Sequence, residues 1–177
     1  MRVAKALALV LGLAIFSIGL VMLIGASLPD EYEFSRSVNV SQPPDAVWRV
    51  LNDFPNEPSW RPELAAVKQL GSRRKHEAWR EIYKEGESMT VEVAESVPGK
   101  RQQLVLTGDT GAFEGKWQFE LTPNGASTRV VLHEEGSYTH PFTRFRQRFV
   151  TGQAAHAEAT LRALATRLGE ASPTVSR

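Results

Sequence analysis

The sequence predicts an α+β domain, a bent antiparallel sheet wrapped around a long C-terminal helix, preceded by one N-terminal transmembrane helix. Three observations predict it. Ala6 to Leu28 runs 23 residues without a charge. Between Glu33 and His133 the chain alternates with period two in segment after segment, most of them separated by Gly, Pro or Asn. After Pro141 it turns Ala-rich and free of internal proline to about Leu168. A chain of 177 residues accommodates a membrane segment and one domain, which excludes a multidomain enzyme.

The apolar run comes first. As a helix at ~1.5 Å per residue it would cross a hydrocarbon layer of ~30 Å. Arg2 and Lys5 precede it, and Asp30, Glu31 and Glu33 follow it. The positive-inside rule then leaves the N-terminus in the cytoplasm and places the domain outside it. The competing reading is a cleaved secretory signal, with Gly25, Ala26 and Ser27 as the small residues near a cut. The length of the run and the lack of a clear Ala-x-Ala favour a single-pass anchor. Residues 1–29 are therefore read as anchor, 30–170 as the domain and 171–177 as a disordered tail. About four residues separate Leu28 from the first strand, at most ~14 Å of chain, so the domain is expected to sit against the bilayer.

The domain elements follow in order. Glu33 to Val40 reads as a strand, and Ser41-Gln42-Pro43-Pro44 ends it. Asp45 opens a helical run in which Val47, Trp48, Leu51 and Phe54 recur at three- and four-residue spacing. Pro55, Pro58 and Pro62 then break any long helix and leave a short turn at Ser59-Trp60. Six strands are expected next, at Leu64 to Leu70, Glu77 to Tyr83, Met89 to Ala94, Gln103 to Thr107, Trp117 to Leu121 and Thr128 to His133. The break from Thr107 to Lys116 carries three glycines and reads as a mobile loop. One helix is expected from Pro141 to Leu168, with a frayed tail after Gly169.

Composition excludes several functions. There is no cysteine, so disulfides, thiolate metal sites and a cysteine nucleophile are out. Removing Arg2 and Lys5 takes the formal charge from +1 to −1, too little positive charge for non-specific phosphate binding, so no nucleic-acid partner is expected. There is no Gly-x-Ser-x-Gly, no His-Glu-x-x-His and no phosphate loop. His133 and Glu135 share a strand face without a third ligand, so no metal and no cofactor is expected.

Asp53-Phe54 followed by Ser59-Trp60-Arg61-Pro62, then Gly115-Lys116-Trp117-Gln118-Phe119 with Pro123-Asn124-Gly125, then Glu134-Glu135-Gly136 through Pro141-Phe142, Arg144-Phe145, Arg148-Phe149 and Gly152 resemble a known superfamily. It is the START-like, helix-grip group labelled SRPBCC or polyketide cyclase/dehydrase and lipid transport. The resemblance runs from Phe34 to Gly169. It implies a deep, mostly apolar cavity between sheet and last helix.

A helical wheel at ~100° per residue from Phe142 puts Phe145, Phe149, Val150, Leu161 and Leu168 on one arc facing the sheet, with Arg146, Gln153 and His156 on the same side. Trp117, Phe119 and Leu121 share one strand face, while Trp79 and Tyr83 share theirs with Glu77, Glu81 and Glu85, which leaves their direction open. The expected ligand-binding residues are Trp60, as a plug at the cavity end, Trp79, Tyr83, Trp117, Phe119, Phe145, Phe149, Gln153 and His156. For each aromatic the plainer reading is core packing, and for Gln153 and His156 hydrogen bonding to the sheet. Two basic clusters, Arg73-Arg74-Lys75 and Arg144/Arg146/Arg148, are solvated surface or contacts to anionic headgroups.

The first expectation is a non-enzymatic module that binds or transfers a hydrophobic small molecule or lipid at the membrane surface. The second is a cyclase/dehydrase-like enzyme on an aromatic or polyketide-like substrate, with His156 or His133 moving the proton. The third is a membrane-tethered protein-interaction domain.

Overall fold

The computed structural model describes residues 2–73, 76–109, 111, 113–152 and 154–176. Helix α1 (Arg2–Ser27) leads into β1 (Glu31–Val40), α2 (Pro44–Leu51) and a 3-10 turn (Phe54–Ser59). Then follow β2 (Leu64–Arg73), β3 (His76–Tyr83), β4 (Ser88–Val97), β5 (Arg101–Gly108), β6 (Phe113–Asn124) and β7 (Ser127–Tyr138). The C-terminal part is α3 (Pro141–Arg146), a π turn (Gln147–Thr151) and α4 (Ala155–Arg167).

The seven strands form one sheet in the order β1-β7-β6-β5-β4-β3-β2. Neighbours pair antiparallel throughout. Hairpin connections keep sequential strands adjacent, and only β1 joins out of order, closing the edge against β7. Alternation decides the concave face: Val38, Val40, Leu104, Leu106, Trp117, Phe119, Leu121, Val130 and Leu132 are all buried there. Against them α4 lays Ala157, Leu161, Leu164 and Ala165, with Leu161 and Leu164 fully enclosed. A leucine buried in this way contributes ~1.5 to 3 kcal/mol. The ion pair Arg36–Glu158, at 2.9 Å, pins α4 to β1.

Three expectations are corrected. The loop from Thr107 to Lys116 is shorter than expected, because β5 runs to Gly108 and β6 starts at Phe113. Pairing of Thr107 with Glu114 and of Leu106 with Gly115 continues the ladder into that segment. The tail does not end frayed: Ser176 exchanges backbone hydrogen bonds with Ser37 at 2.8 and 2.9 Å, and Val175 packs on the core.

The third correction concerns the last helix, which is not continuous. The π turn ends at Gly152, whose φ of 82° and ψ of 135° lie where only glycine is comfortable, and α4 starts anew at Ala155. The wheel drawn from Phe142 therefore does not carry across the break. Phe149 is 59% exposed and Val150 71%, so neither faces the sheet. Phe145 and Phe149 pack against each other instead, their rings tilted with centroids 5.0 Å apart. Segment Pro141–Arg146 packs on α1.

Candidate functional site

The prolines after α2 shape the first part of the site. They hold Phe54–Ser59 in a 3-10 turn, from which Trp60 and Arg61 both donate their backbone N–H to the Glu57 carbonyl, at 3.0 and 2.8 Å. That geometry turns Arg61 inward until its side chain is only 2% exposed. A guanidinium this deep needs anions around it. Arg61 Nη1 donates to Glu81 Oε1 at 2.6 Å and to Glu57 Oε2 at 3.1 Å, Nη2 to Glu81 Oε2 at 3.2 Å, and Nε to Glu63 Oε1 at 2.9 Å. Tyr83 completes the group by donating its hydroxyl to Glu81 Oε2 at 2.7 Å. The guanidinium also lies 5.8 Å from the centroid of the Trp117 ring.

Burial and charge set the protonation of this cluster in different directions. Burial pushes the Glu57 carboxyl up to about 8, aided by the neighbouring Glu81 charge and opposed by Arg61. For Glu81 burial acts upward, but the charge and hydrogen bonds of Arg61 outweigh it and hold the carboxyl below its usual range. Burial raises the Tyr83 hydroxyl. His156, at the start of α4, is pushed down to about 4 by burial and then by the Arg61 charge, so it is neutral at pH 7. Its ring lies 5.0 Å from Trp117 and 6.4 Å from Tyr83.

A second polar group lies along the same face. Glu134 sits opposite both Phe34 and Trp117 in the ladder. Its Oε1 accepts the Tyr32 hydroxyl at 2.8 Å, and burial raises the carboxyl to about 7. Tyr32 stacks between Phe34 and Tyr138, at 5.7 and 5.1 Å, and Phe113 tilts against Tyr138 at 5.3 Å. Two glycines make the room. Gly115 and Gly136 face each other in the ladder, and a Cβ on Gly136 would lie 2.8 Å from the Tyr32 hydroxyl, one on Gly115 2.7 Å from the Phe113 ring.

Trp117 faces Glu134 and its indole N–H donates to that carboxyl, whereas buried Trp79 Nε1 and, on α4, Thr160 Oγ1 lack a hydrogen bond. Such atoms are costly unless something meets them.

The expected site residues separate into groups. Trp79, Trp117 and Phe119 join one core cluster, with Trp79 stacked on Phe54 at 5.3 Å and Trp117 edge-on to Phe119 at 6.3 Å. The direction of Trp79 and Tyr83, left open by alternation, is inward together with Glu81. Trp60 is half-buried against the core. Tyr83 and His156 belong to the polar cluster, whereas Phe145 and Phe149 lie apart from the sheet, and Gln153 lies outside the described residues. The space foreseen beneath Trp117 and Phe119 is largely occupied by their own packing, both being 3% exposed. Two depressions of about 340 and 700 Å³ lie elsewhere, one between the end of α1 and α3, the other across Val105, Glu114, Lys116 and Glu135. His133 bonds Ser35 through Nδ1 at 2.7 Å, and among the described residues no group of three His, Asp or Glu side chains could hold a metal.

Sequence reasoning passed over Glu57, Glu81 and Glu134, and saw Arg61 only as part of a turn. A signal for Glu81 existed: it alternates with Trp79 and Tyr83, so burying those rings buries a carboxylate that demands a cation. Glu134 continues the inward alternation of Val130 and Leu132.

The profile of one family, described as polyketide cyclase / dehydrase and lipid transport, matches residues 31–169. The chain belongs to that family. Solved structures similar to this cyclase/dehydrase and lipid transport family member agree on the fold. The Zhui aromatase/cyclase of Streptomyces sp. R1128 is 16% identical with a TM-score of 0.67, over 78% of this chain and 93% of that one. A START superfamily protein of Mycobacterium smegmatis is 17% identical with a TM-score of 0.63, over 77% and 96%. Truncated norcoclaurine synthase of Thalictrum flavum is 12% identical with a TM-score of 0.62, over 80% and 96%. No curated protein matches the chain in sequence. At these identities the likeness is one of fold, a START-like helix grip.

Proposed function

We propose that this family member binds or transfers a hydrophobic small molecule or lipid between the sheet and α4, in a domain held at the membrane surface by α1. The observation that carries the reading is the presence of buried polar atoms without partners on the two surfaces that face each other, Trp79 Nε1 on the sheet and Thr160 Oγ1 on α4. An indole donor and a hydroxyl match an apolar guest that carries a hydrogen-bonding group. Apolar burial at ~25 cal/mol per Å² supplies the affinity, and those few polar atoms orient the guest. Entry requires α4 to part from the sheet, for which the break at Gly152 gives slack. The anchored topology, with the N-terminus cytoplasmic and the domain outside, rests on Arg2 and Lys5 before a helix long and apolar enough to cross a membrane.

Native mass spectrometry of the full chain after mild detergent extraction tests this. A retained small molecule that is lost in Trp79→Phe is the expected result. Retention of nothing by the wild-type chain, together with no shift in thermal stability across a panel of lipids and aromatic compounds, would exclude it.

One observation favours the second reading, an enzyme of cyclase or dehydrase type. Glu134, buried on the concave face with its carboxyl raised to about 7, is placed to exchange a proton near neutral pH, and His156 on α4 is an unprotonated ring at that pH. Turnover of an aromatic or polyketide-like compound that disappears in His156→Ala while ligand retention persists would select this reading over simple transfer.

A further inference from the structure

We propose that Pro141–Thr151 is a second membrane element, inserted beside α1 into an anionic leaflet, to whose headgroups its exposed arginines are drawn. The proposal rests on the anchored reading of α1. Most of α1 is exposed, but one stripe, Val21, Met22, Ile24, Gly25 and Leu28, is covered, and the element packed there is α3. Gly25 marks the closest approach: a Cβ at that position would lie 2.0 Å from the Pro141 carbonyl oxygen. At ~1.5 Å per residue Gly25 lies ~3 Å, and Val21 ~9 Å, inside the end of the helix at Ser27. Any bilayer that α1 crosses therefore meets α3 at the boundary of headgroups and acyl chains.

The side chains suit that depth. Phe142, Phe149 and Val150 are 50%, 59% and 71% exposed, and outside α1 the one other large apolar side chain so exposed among the described residues is Leu70. An exposed apolar patch concentrated beside a membrane helix has lipid as its natural cover. Basic residues alternate with it. Arg144 is spent on the fold, donating to the carbonyls of Tyr138, Thr139 and Leu28 at 2.7, 3.1 and 3.4 Å, which ties α3 to the end of the anchor. Arg146 and Arg148 stay exposed, and the Arg148 guanidinium lies 5.9 Å from the Phe149 ring, an apolar body with a cationic tip. The depression of about 340 Å³ at the same level is lined by Arg144 and Arg148 but equally by Asp30 and Glu31, so it is not itself a basic seat. The pull toward anionic headgroups comes instead from the exposed Arg146 and Arg148.

The chain has no native cysteine, so a spin label reads depth at one chosen site. Full-length Phe149→Cys and Ser172→Cys proteins are labelled in nanodiscs of phosphatidylcholine alone or of phosphatidylcholine and phosphatidylglycerol at about 7:3. In the anionic discs the label at 149 is expected to be reached by oxygen and shielded from a water-soluble nickel complex, while the label at 172 shows the reverse. Charge reversal of Arg146 and Arg148 should return the label at 149 to water. A label at 149 as accessible to nickel as that at 172 in anionic discs would overturn the proposal, as would equal depth in both lipid mixtures for its anionic part. The intact mass of the chain recovered from membranes reports separately on the anchor, since loss of residues 1–29 removes that reading without altering the depth measured in discs.

Discussion

Glu134 shows how one residue joins stability to function. Its carboxyl is enclosed by Tyr32 and Trp117, and burial raises its pKa to about 7. The folded chain therefore holds a proton that the unfolded chain has released above an ordinary carboxyl pKa of ~4.5. Stability from this group is full below pH ~4.5 and declines as pH rises to about 7, after which the loss is constant. Glu134→Gln keeps the shape and cannot ionise. It is expected to gain stability over the wild type progressively between pH 4.5 and 7, by up to ~3 kcal/mol, in denaturant titrations at several pH values. A difference that does not change with pH would show that the carboxyl is already ionised in the fold. His156 acts with the opposite sign: buried neutral at about 4, it costs stability as pH falls below its unfolded value of ~6.5, so the comparison of variants isolates each group.

At the level of elements, the break at Gly152 decides what the C-terminal segment does. A helix continuous from Pro141 to Leu168 would lay Phe145 and Phe149 on the sheet, whereas the interrupted one gives α4 to the sheet and α3 to α1. Gly152→Ala adds a Cβ where φ is 82° and is expected to cost ~1 to 3 kcal/mol, read as a lower denaturant midpoint in detergent. Unchanged or higher stability would mean that the break relaxes into continuous helix, and that glycine is not what keeps α3 apart. The strands, in contrast, were legible residue by residue. Period-2 alternation located all seven, most within a few residues, because most of them bury one face and wet the other, the edge strand β2 being largely exposed beyond Leu64. The segment from Thr107 to Lys116 misled because its three glycines look like loop punctuation. Gly115 lies instead within β6, where its bare backbone makes way for Phe113.

The molecule as a whole is a helix long and apolar enough to cross a membrane, attached almost without linker to a domain whose concave face carries buried charge. Topology is testable at this scale in the Cys-free chain: Ser172→Cys should react with an impermeant maleimide in intact cells, and Ala4→Cys only after permeabilisation. The reverse pattern would turn the domain to the cytoplasm. The sequence by itself determined the apolar helix, the α+β order and the inward face of Trp117 and Phe119, since each depends on local composition or on a period that the chain displays directly, while the family came through the resemblance of its motifs. Only the tertiary structure decided that Arg61, Glu57, Glu81, Tyr83 and His156 meet. They come from the 3-10 turn, β3 and α4, and no period along the chain records a meeting of side chains across three elements. It also decided that α3 belongs to α1, because the choice between two apolar surfaces for one amphipathic segment is made by a single glycine's backbone angles and by the fit of Pro141 against Gly25.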